Sequence, residues 1–440
     1  MRLPASVAAG HPVTAGVGHR VLADGGTAAD AVAAMILAGC VAETIFSGLG
    51  GGGFATVYTA ETRSVDCLDF FVAVPGLDGS RQGPATAIEV SFGGVPVPYE
   101  VGGPTVAVPG TPAGVATLHQ RFGRLPWQRI VRPAEGLARA GVPMPAAHAA
   151  LLTDIAQAML LGDGVAAYSD ARSGRLLGAG DRLHHPGLAE TLAEYGRGGA
   201  SALMTGPLAA ALVEAVRADN GALSMQDMAA YRVIDLPVSD QPFGPGRIRV
   251  RNNDLDGLVG SIAALDVGAV LADQPARARA LVAALRAPTR RSETTSVAAV
   301  DADGNACAAT HSLGLGSGIW TSGVHANSML GEGELIREPL AAGDRMGSMM
   351  VPLVVTDQAG ELLAAIGAAG GSRIRSALLQ VLTRLLIENQ ELPAAVAAPR
   401  LSCTTDTVHL EPGFDTSVAP ALRASGDRVV EWDAARPYFG

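Results

Sequence analysis

Thr294 and Thr295 stand side by side at the head of an apolar, β-branched run in SETTSVAAVDADGNACAATHS. Two β-branched residues opening a strand is the plain reading of the pair. A chemical reading is also open. A threonine hydroxyl is a poor nucleophile without a base, but an N-terminal threonine carries its own base in the α-amino group. A cut before Thr294 creates such a residue. The strand-start position and the loosely composed segment upstream fit that solution.

A second group with chemical potential is Gly370-Gly371 in GAAGGSRI, where a strand hands over to a helix. Free N–H groups at a helix N-terminus suit an anion or a developing oxyanion. The same pair also serves a turn and nothing more. Gly48 to Gly53 satisfies GxGxxG, but it follows a helix and opens a strand, the reverse of a dinucleotide loop. It reads as a tight turn with close backbone approach. His311 and Ser312 are adjacent on a predicted strand and point to opposite faces, so they form no catalytic pair.

Composition removes other chemistries. All 32 basic residues are arginines, which excludes Schiff-base lysines, pyridoxal phosphate attachment and the phosphate-loop lysine. The formal charge of −10 offers no basic footprint for nucleic acid. Cys40, Cys67, Cys307 and Cys403 form no CxxC pair and read as reduced, buried small hydrophobes. No HxxxH or HExxH occurs, so neither a metal nor any other cofactor is expected. The opening MRLPASVAAGHPV lacks a signal-peptide core, and no window reaches the roughly 18 apolar residues of a membrane span. A soluble, cytoplasmic protein without membrane partners is expected.

These residues need a scaffold. GGTAADAVAAMILAGCVAE reads as a buried helix with Thr27 as its N-cap. Strands are expected near Phe54–Tyr58, Val65–Phe70, Thr294–Val300, Ala306–Ser312 and Leu362–Ile366, most of them in hairpins. GGSRIRSALLQVLTRLLIEN reads as an amphipathic helix, and residues 114 to 231 as mostly helical. The stretch from Asp235 to Arg291 loosens in composition and reads as an exposed connection. Hairpins flanked by buried helices at both ends of the chain predict an α+β fold, a four-layer αββα sandwich.

TTSVAAVDADGNA, GSGI, SMMVPLVV and GAAGGSRIRSALLQVL together resemble the gamma-glutamyltransferase (gamma-glutamyltranspeptidase) family of N-terminal nucleophile hydrolases. SGLGGGGF, VPGTPAG, FGRLPWQRIVRPAEGLARAG and GALSMQDMAAYRV agree with it in the same order. The resemblance implies cleavage between Glu293 and Thr294, by attack of Thr294 Oγ on the preceding carbonyl. It divides the chain into a large segment, 1–293, and a small one, 294–440, which share one core and stay associated. Thr294 matches the nucleophile, Ser312 the threonine that hydrogen-bonds it, and Gly370 and Gly371 the oxyanion-hole glycines. The implied enzyme acts on a small-molecule amide or ring substrate, with water or an amine as acceptor.

The departures lie where the family grips its γ-glutamyl donor. Phe71 stands at the position of the carboxylate-binding arginine, and Gly314 replaces an asparagine. A serine pair becomes Ser348-Met349, and Gly331 takes the ammonium-binding aspartate position with Glu332 beside it. RNNDLDGLVG replaces a Pro-Ser-Gly segment, and the chain ends at PYFG, before the closing strands that the resemblance implies. Altered donor specificity is therefore expected, as in natural-product enzymes for alkylproline units. Phe71→Arg is expected to raise γ-glutamyl hydrolysis if the pocket is otherwise preserved. The alternatives are a true gamma-glutamyl transferase or glutathione hydrolase, and an inactive scaffold or unprocessed homologue.

Overall fold

The computed structural model describes residues 3–92, 95–286, 294–336, 338–371, 373–404 and 406–434. Glu293, the residue before the expected cut, lies outside them.

The first half begins with β1 (Ser6–Ala9), α1 (Pro12–Ala23) and α2 (Ala28–Ala42). A capping box starts α2: Thr27 Oγ accepts from the Asp30 amide and Asp30 accepts from the Thr27 amide. Every residue of α2 is buried, as its apolar run requires. The hairpin β2 (Gly52–Thr59) and β3 (Ser64–Phe70) follows, then α3 (Thr111–Phe122). After the helical middle come β4 (Ile234–Leu236), β5 (Val238–Phe243), β6 (Gly246–Arg251) and α4 (Gln274–Leu285). The last part supplies β7 (Thr295–Val300), β8 (Ala306–Ser312), β9 (Leu353–Asp357), β10 (Leu362–Ile366) and α5 (Arg373–Leu386).

Two sheets result, with orders β1-β7-β8-β2-β3-β4 and β10-β9-β6-β5. Both draw strands from either side of Thr294. They face each other: Thr56 of β2 donates to the Pro352 carbonyl at 2.7 Å, and the Arg251 guanidinium lies 3.9 Å over the Phe54 ring. The outer face of the first sheet packs Ala55, Val57, Leu68, Val297 and Ala309 against α2 and its neighbours. Ile248, Leu353 and Val355 of the second sheet pack with Leu281 of α4 and Leu378 of α5. This is the αββα sandwich, and all five expected strands are present.

Residues 235–286 are not the exposed connection that their composition suggests. They form β5 and β6 of the second sheet and helices that bury Leu258, Ile262, Leu281 and Leu285. In GRIRVR the arginines alternate with Ile248 and Val250, which are fully buried. That period of two marks a strand, with Ile248 and Val250 on one face and the half-buried Arg247 and Arg249 and the buried Arg251 on the other, and its charged half disguised it. The hairpin Thr86–Phe92 with Val95–Val101 also went unread in the sequence.

Among the described residues, no helix is long and apolar enough to cross a membrane, and no group of His, Cys, Asp or Glu has a metal-site arrangement. The four cysteines are free and buried, as their spacing implied.

Candidate functional site

Thr294 directly precedes β7 and is buried. In β7 and β8, Thr295 pairs with His311 and Ser296 with Thr310, so Thr294 falls opposite Ser312 one step further along the ladder. Ser312 pairs with Gly52, and the Phe71 backbone lies against Gly52, where an added Cβ would come within 2.9 Å of Phe71 Cα. Thr294, Ser312, Gly52 and Phe71 therefore form one row across the end of the sheet. Directly opposite residues share a face, and the 3.1 Å bond between Ser296 Oγ and Thr310 Oγ1 fixes which. Gly367 backs onto those two hydroxyls, so the face points at the second sheet.

Beyond Gly367 the chain leaves β10 and reaches Gly370 and Gly371, with φ of +113° and +59°. Side-chain-bearing residues avoid this region, and it turns the Gly370 amide back over the first sheet. The Gly370 N–H donates to Thr294 Oγ1 at 3.1 Å. A backbone donor thus sits on the hydroxyl that the sequence singled out. Ser312 is buried, and its Oγ accepts from the Gly314 amide at 3.0 Å. His311 points the other way, toward Gly39 of α2, so the two adjacent residues do occupy opposite faces. Burial lowers the His311 pKa to about 3.

Behind Thr294, on that outer face, Thr295 Oγ1 donates to Glu43 Oε2 at 2.5 Å, and Thr14 donates to the other carboxylate oxygen at 2.8 Å. Glu43 caps the C-terminal end of α2 and is buried. Sequence reasoning missed it. The only available signal was an acid ending an otherwise apolar helix.

The remaining positions surround a region remodelled from the family pattern. Gly314 has φ +70°, and an added Cβ would lie 2.5 Å from Glu332 Oε1 and 2.7 Å from Ser328 Oγ. The asparagine that the resemblance places there does not fit without rearrangement. Tyr99, from the unread hairpin, occupies this space: its hydroxyl lies 2.7 Å from Ser328 Oγ and donates to Glu332 Oε1 at 3.0 Å. Glu332 is buried beside Tyr99 rather than on the surface. Ser348 turns its Oγ to the Met350 amide, and Met349 packs in the core.

Phe71 is 1 % exposed and stacks on Phe54 with ring centroids 5.6 Å apart. Its carbonyl accepts from Tyr231 Oη and from Arg345. Arg251 lies on the Phe54 ring and donates to the Ser348 carbonyl at 2.6 Å, the Met350 carbonyl at 2.8 Å and Asn253 at 2.8 Å. Burial lowers its pKa to about 10. An arginine from the facing sheet therefore stands near the position where β3 has none. The sequence offered no hint of it, since no local spacing joins Arg251 to Phe71. A cavity of about 690 Å³ opens between the hairpin turns at Ala60, Gly304 and Glu361. That is the opposite end of the strands from Thr294.

The gamma-glutamyltranspeptidase family model matches residues 14–244 and 258–438. The Acylase ACY 1 proenzyme of Pseudomonas sp. (strain SE83) is 28% identical, over 96% of this chain and 87% of its own length. Glutathione hydrolase 5 proenzyme of Rattus norvegicus is 30% identical, over 52% of this chain and 39% of its own. Among solved structures, cephalosporin acylase from Bacillus halodurans superposes with a TM-score of 0.80 at 20% identity, covering 100% of this chain and 91% of that one. The Helicobacter pylori gamma-glutamyltranspeptidase gives 0.54 at 23% identity, covering 63% and 80%. These likenesses support the fold read from the sheets.

Proposed function

The chain belongs to the gamma-glutamyltranspeptidase family, and from that premise we propose a self-processing acylase or acyltransferase whose nucleophile is Thr294. The chain is an enzyme of the N-terminal nucleophile hydrolase type. The observation that carries the assignment of Thr294 is the 3.1 Å hydrogen bond from the Gly370 amide to its Oγ1.

In the first step Thr294 Oγ attacks the Glu293 carbonyl carbon, and the Glu293–Thr294 C–N bond breaks as an ester forms, the Oγ proton passing to the departing Thr294 nitrogen. Water hydrolyses the ester, leaving a carboxyl on Glu293 and a free α-amino group on Thr294. In turnover that amino group takes the Oγ proton while Oγ attacks the donor carbonyl. The Gly370 and Gly371 amides receive the developing oxyanion. The proton passes to the leaving amine, and an acyl ester remains on Thr294. Water or an acceptor amine releases the acyl group and returns the proton to Oγ.

The donor in this reading is a small amide or ring-bearing acyl compound without the amino-acid zwitterion of a γ-glutamyl group. Gly331 and Gly314 have no side chains to offer and Phe71 is apolar, so the positions that grip the zwitterion in the family pattern supply no charged partner. Desolvating an unpartnered charge is costly. Natural-product acyl units, alkylproline compounds among them, are the setting proposed for such a donor.

The test is fragment analysis of purified protein by denaturing electrophoresis, intact mass and N-terminal sequencing. The expected result is two fragments, the smaller starting at Thr294, with none from Thr294→Ala. A single uncut chain that still turns over amides overturns the reading.

A further inference from the structure

A cavity of about 270 Å³ opens beyond the edge of the first sheet, where β4 begins. Val74, Leu77, Tyr231, Arg232, Ile234 and Arg345 are in its lining. Leu77 is 38 % and Ile234 43 % exposed, so two large apolar side chains face water at one hollow. Single exposed apolar residues are ordinary, but a shared concave surface is one that a ligand can desolvate. The volume falls just below the roughly 300–1,000 Å³ of sites for drug-sized molecules, which makes the occupant a small one.

The charges of the lining are unequally used. Asp227 is buried and engaged at both carboxylate oxygens. One accepts from the Gly76 and Leu77 amides at 3.0 and 2.8 Å, the other from the Ser224 amide and hydroxyl at 2.9 and 2.5 Å. Arg345 lies 4.4 Å over the Tyr231 ring, donates to the carbonyls of Phe71 and Arg232, and has Asp69 at 3.6 Å. Arg232 has no such acid. It is exposed, and its Nη1 donates to the Ala229 and Tyr231 carbonyls at 2.6 and 2.7 Å. Among the described residues, no carboxylate lies within ion-pair distance of it, and its Nε and Nη2 have no hydrogen-bond partner. Those two nitrogens form the edge of a guanidinium that takes a carboxylate at two points.

This cavity stands apart from the reacting residues. Phe71 ends the row that begins at Thr294, three strand spacings away, or about 14 Å. Tyr231 Oη and Arg345, both in the cavity lining, hold the Phe71 carbonyl, while the Phe71 ring stacks on Phe54 between the sheets.

We propose that this cavity is a second binding site, for a small monocarboxylate with an apolar body. The acid sits on the Nε and Nη2 edge of Arg232 and the apolar body lies against Leu77 and Ile234. The site is separate from the acyl donor's and does not depend on the assignment of Thr294.

The experiment is calorimetric titration of the full chain with sodium 3-phenylpropionate, compared with 3-phenylpropan-1-ol and 3-phenylpropylamine. One saturable site for the acid is expected, with Kd below about 1 mM. The alcohol is expected to bind about three- to ten-fold more weakly, the range of a partly exposed charged pair, and the amine more weakly still. Arg232→Gln should bring acid and alcohol to within about two-fold of each other by weakening the acid alone. Ile234→Ala should weaken acid and alcohol alike, by about two- to five-fold, through lost apolar contact. Absence of saturation by about 10 mM acid, equal affinity for acid and alcohol, an acid preference that survives Arg232→Gln, or affinities unchanged in Ile234→Ala each overturns the proposal. Leu77→Ala carries the apolar arm if the Ile234 variant does not fold.

Discussion

Thr295 Oγ1 donates to Glu43 Oε2 at 2.5 Å, tying the residue next to the proposed nucleophile to the end of the buried helix α2. The bond crosses the expected cut, because Glu43 lies before it and Thr295 after it. So do the ladders of β1 with β7 and β2 with β8. The two fragments are expected to remain together after processing. Size-exclusion chromatography of the cleaved protein should give one peak containing both; separation without denaturant would count against a shared core.

Removing the Thr295 hydroxyl should disturb both stability and processing. Thr295→Val leaves Glu43 with one hydroxyl donor instead of two, at a cost of about 1–3 kcal/mol. Thr295→Ser keeps the donor and should restore wild-type behaviour. Denaturant midpoints and cleavage time courses check this, and a valine variant that folds and cleaves normally refutes the anchoring role.

Gly370 occupies a backbone region that an alanine reaches only with strain, and its amide is the donor on Thr294. Gly370→Ala keeps the N–H but displaces it through backbone strain, and is expected to reduce kcat by about 10²-fold, the effect of misplacing one oxyanion donor. A folded alanine variant with unchanged kcat would remove this amide from the mechanism.

The effect expected of Phe71→Arg changes once the packing is known. The sequence suggests that this substitution restores a carboxylate site. In the fold Phe71 is sealed against Phe54, with Arg251 on the same ring pair. A second guanidinium there loses a core ring, costing about 3–5 kcal/mol, and adds like-charge repulsion in a desolvated gap. The variant should be markedly less stable and show no gain in γ-glutamyl anilide turnover. A folded variant with higher γ-glutamyl activity would show that the gap has room for the charge.

Four buried histidines set an acid limit on the fold. Burial lowers His311 and His325 to about 3, and His148 and His185 to about 4. With unfolded values near 6.5, the unfolded chain binds more protons below that pH, so stability falls as pH drops. Each group contributes up to about 1.4 kcal/mol per pH unit, fully present above pH 6.5 and lost progressively toward pH 3 to 4. Tm should therefore decline steadily from pH 7 to pH 5. A flat profile over that interval would mean that these rings are hydrated in the folded protein.

Local chemistry in the sequence determined much of this protein. The capping box at Thr27, the apolar length of α2 and the period-two runs around Asp301 each specify an element from neighbouring residues alone. The threonine pair and the glycine pair were legible for the same reason, since their chemistry is carried by residue type and strand-end position. Ladder register and sheet stacking decided the rest. They brought the Gly370 amide to Thr294 across 76 residues, set Glu43 behind Thr295 across 252, and placed Arg251 over Phe54 from the facing sheet. Charged alternation hid β6 because a strand with arginines along one face resembles a polar linker when its partner sheet is unknown. Phe71 was identified as a departure, but whether it faces a pocket or a sealed aromatic stack depends on which strand lies opposite, and that is a tertiary fact.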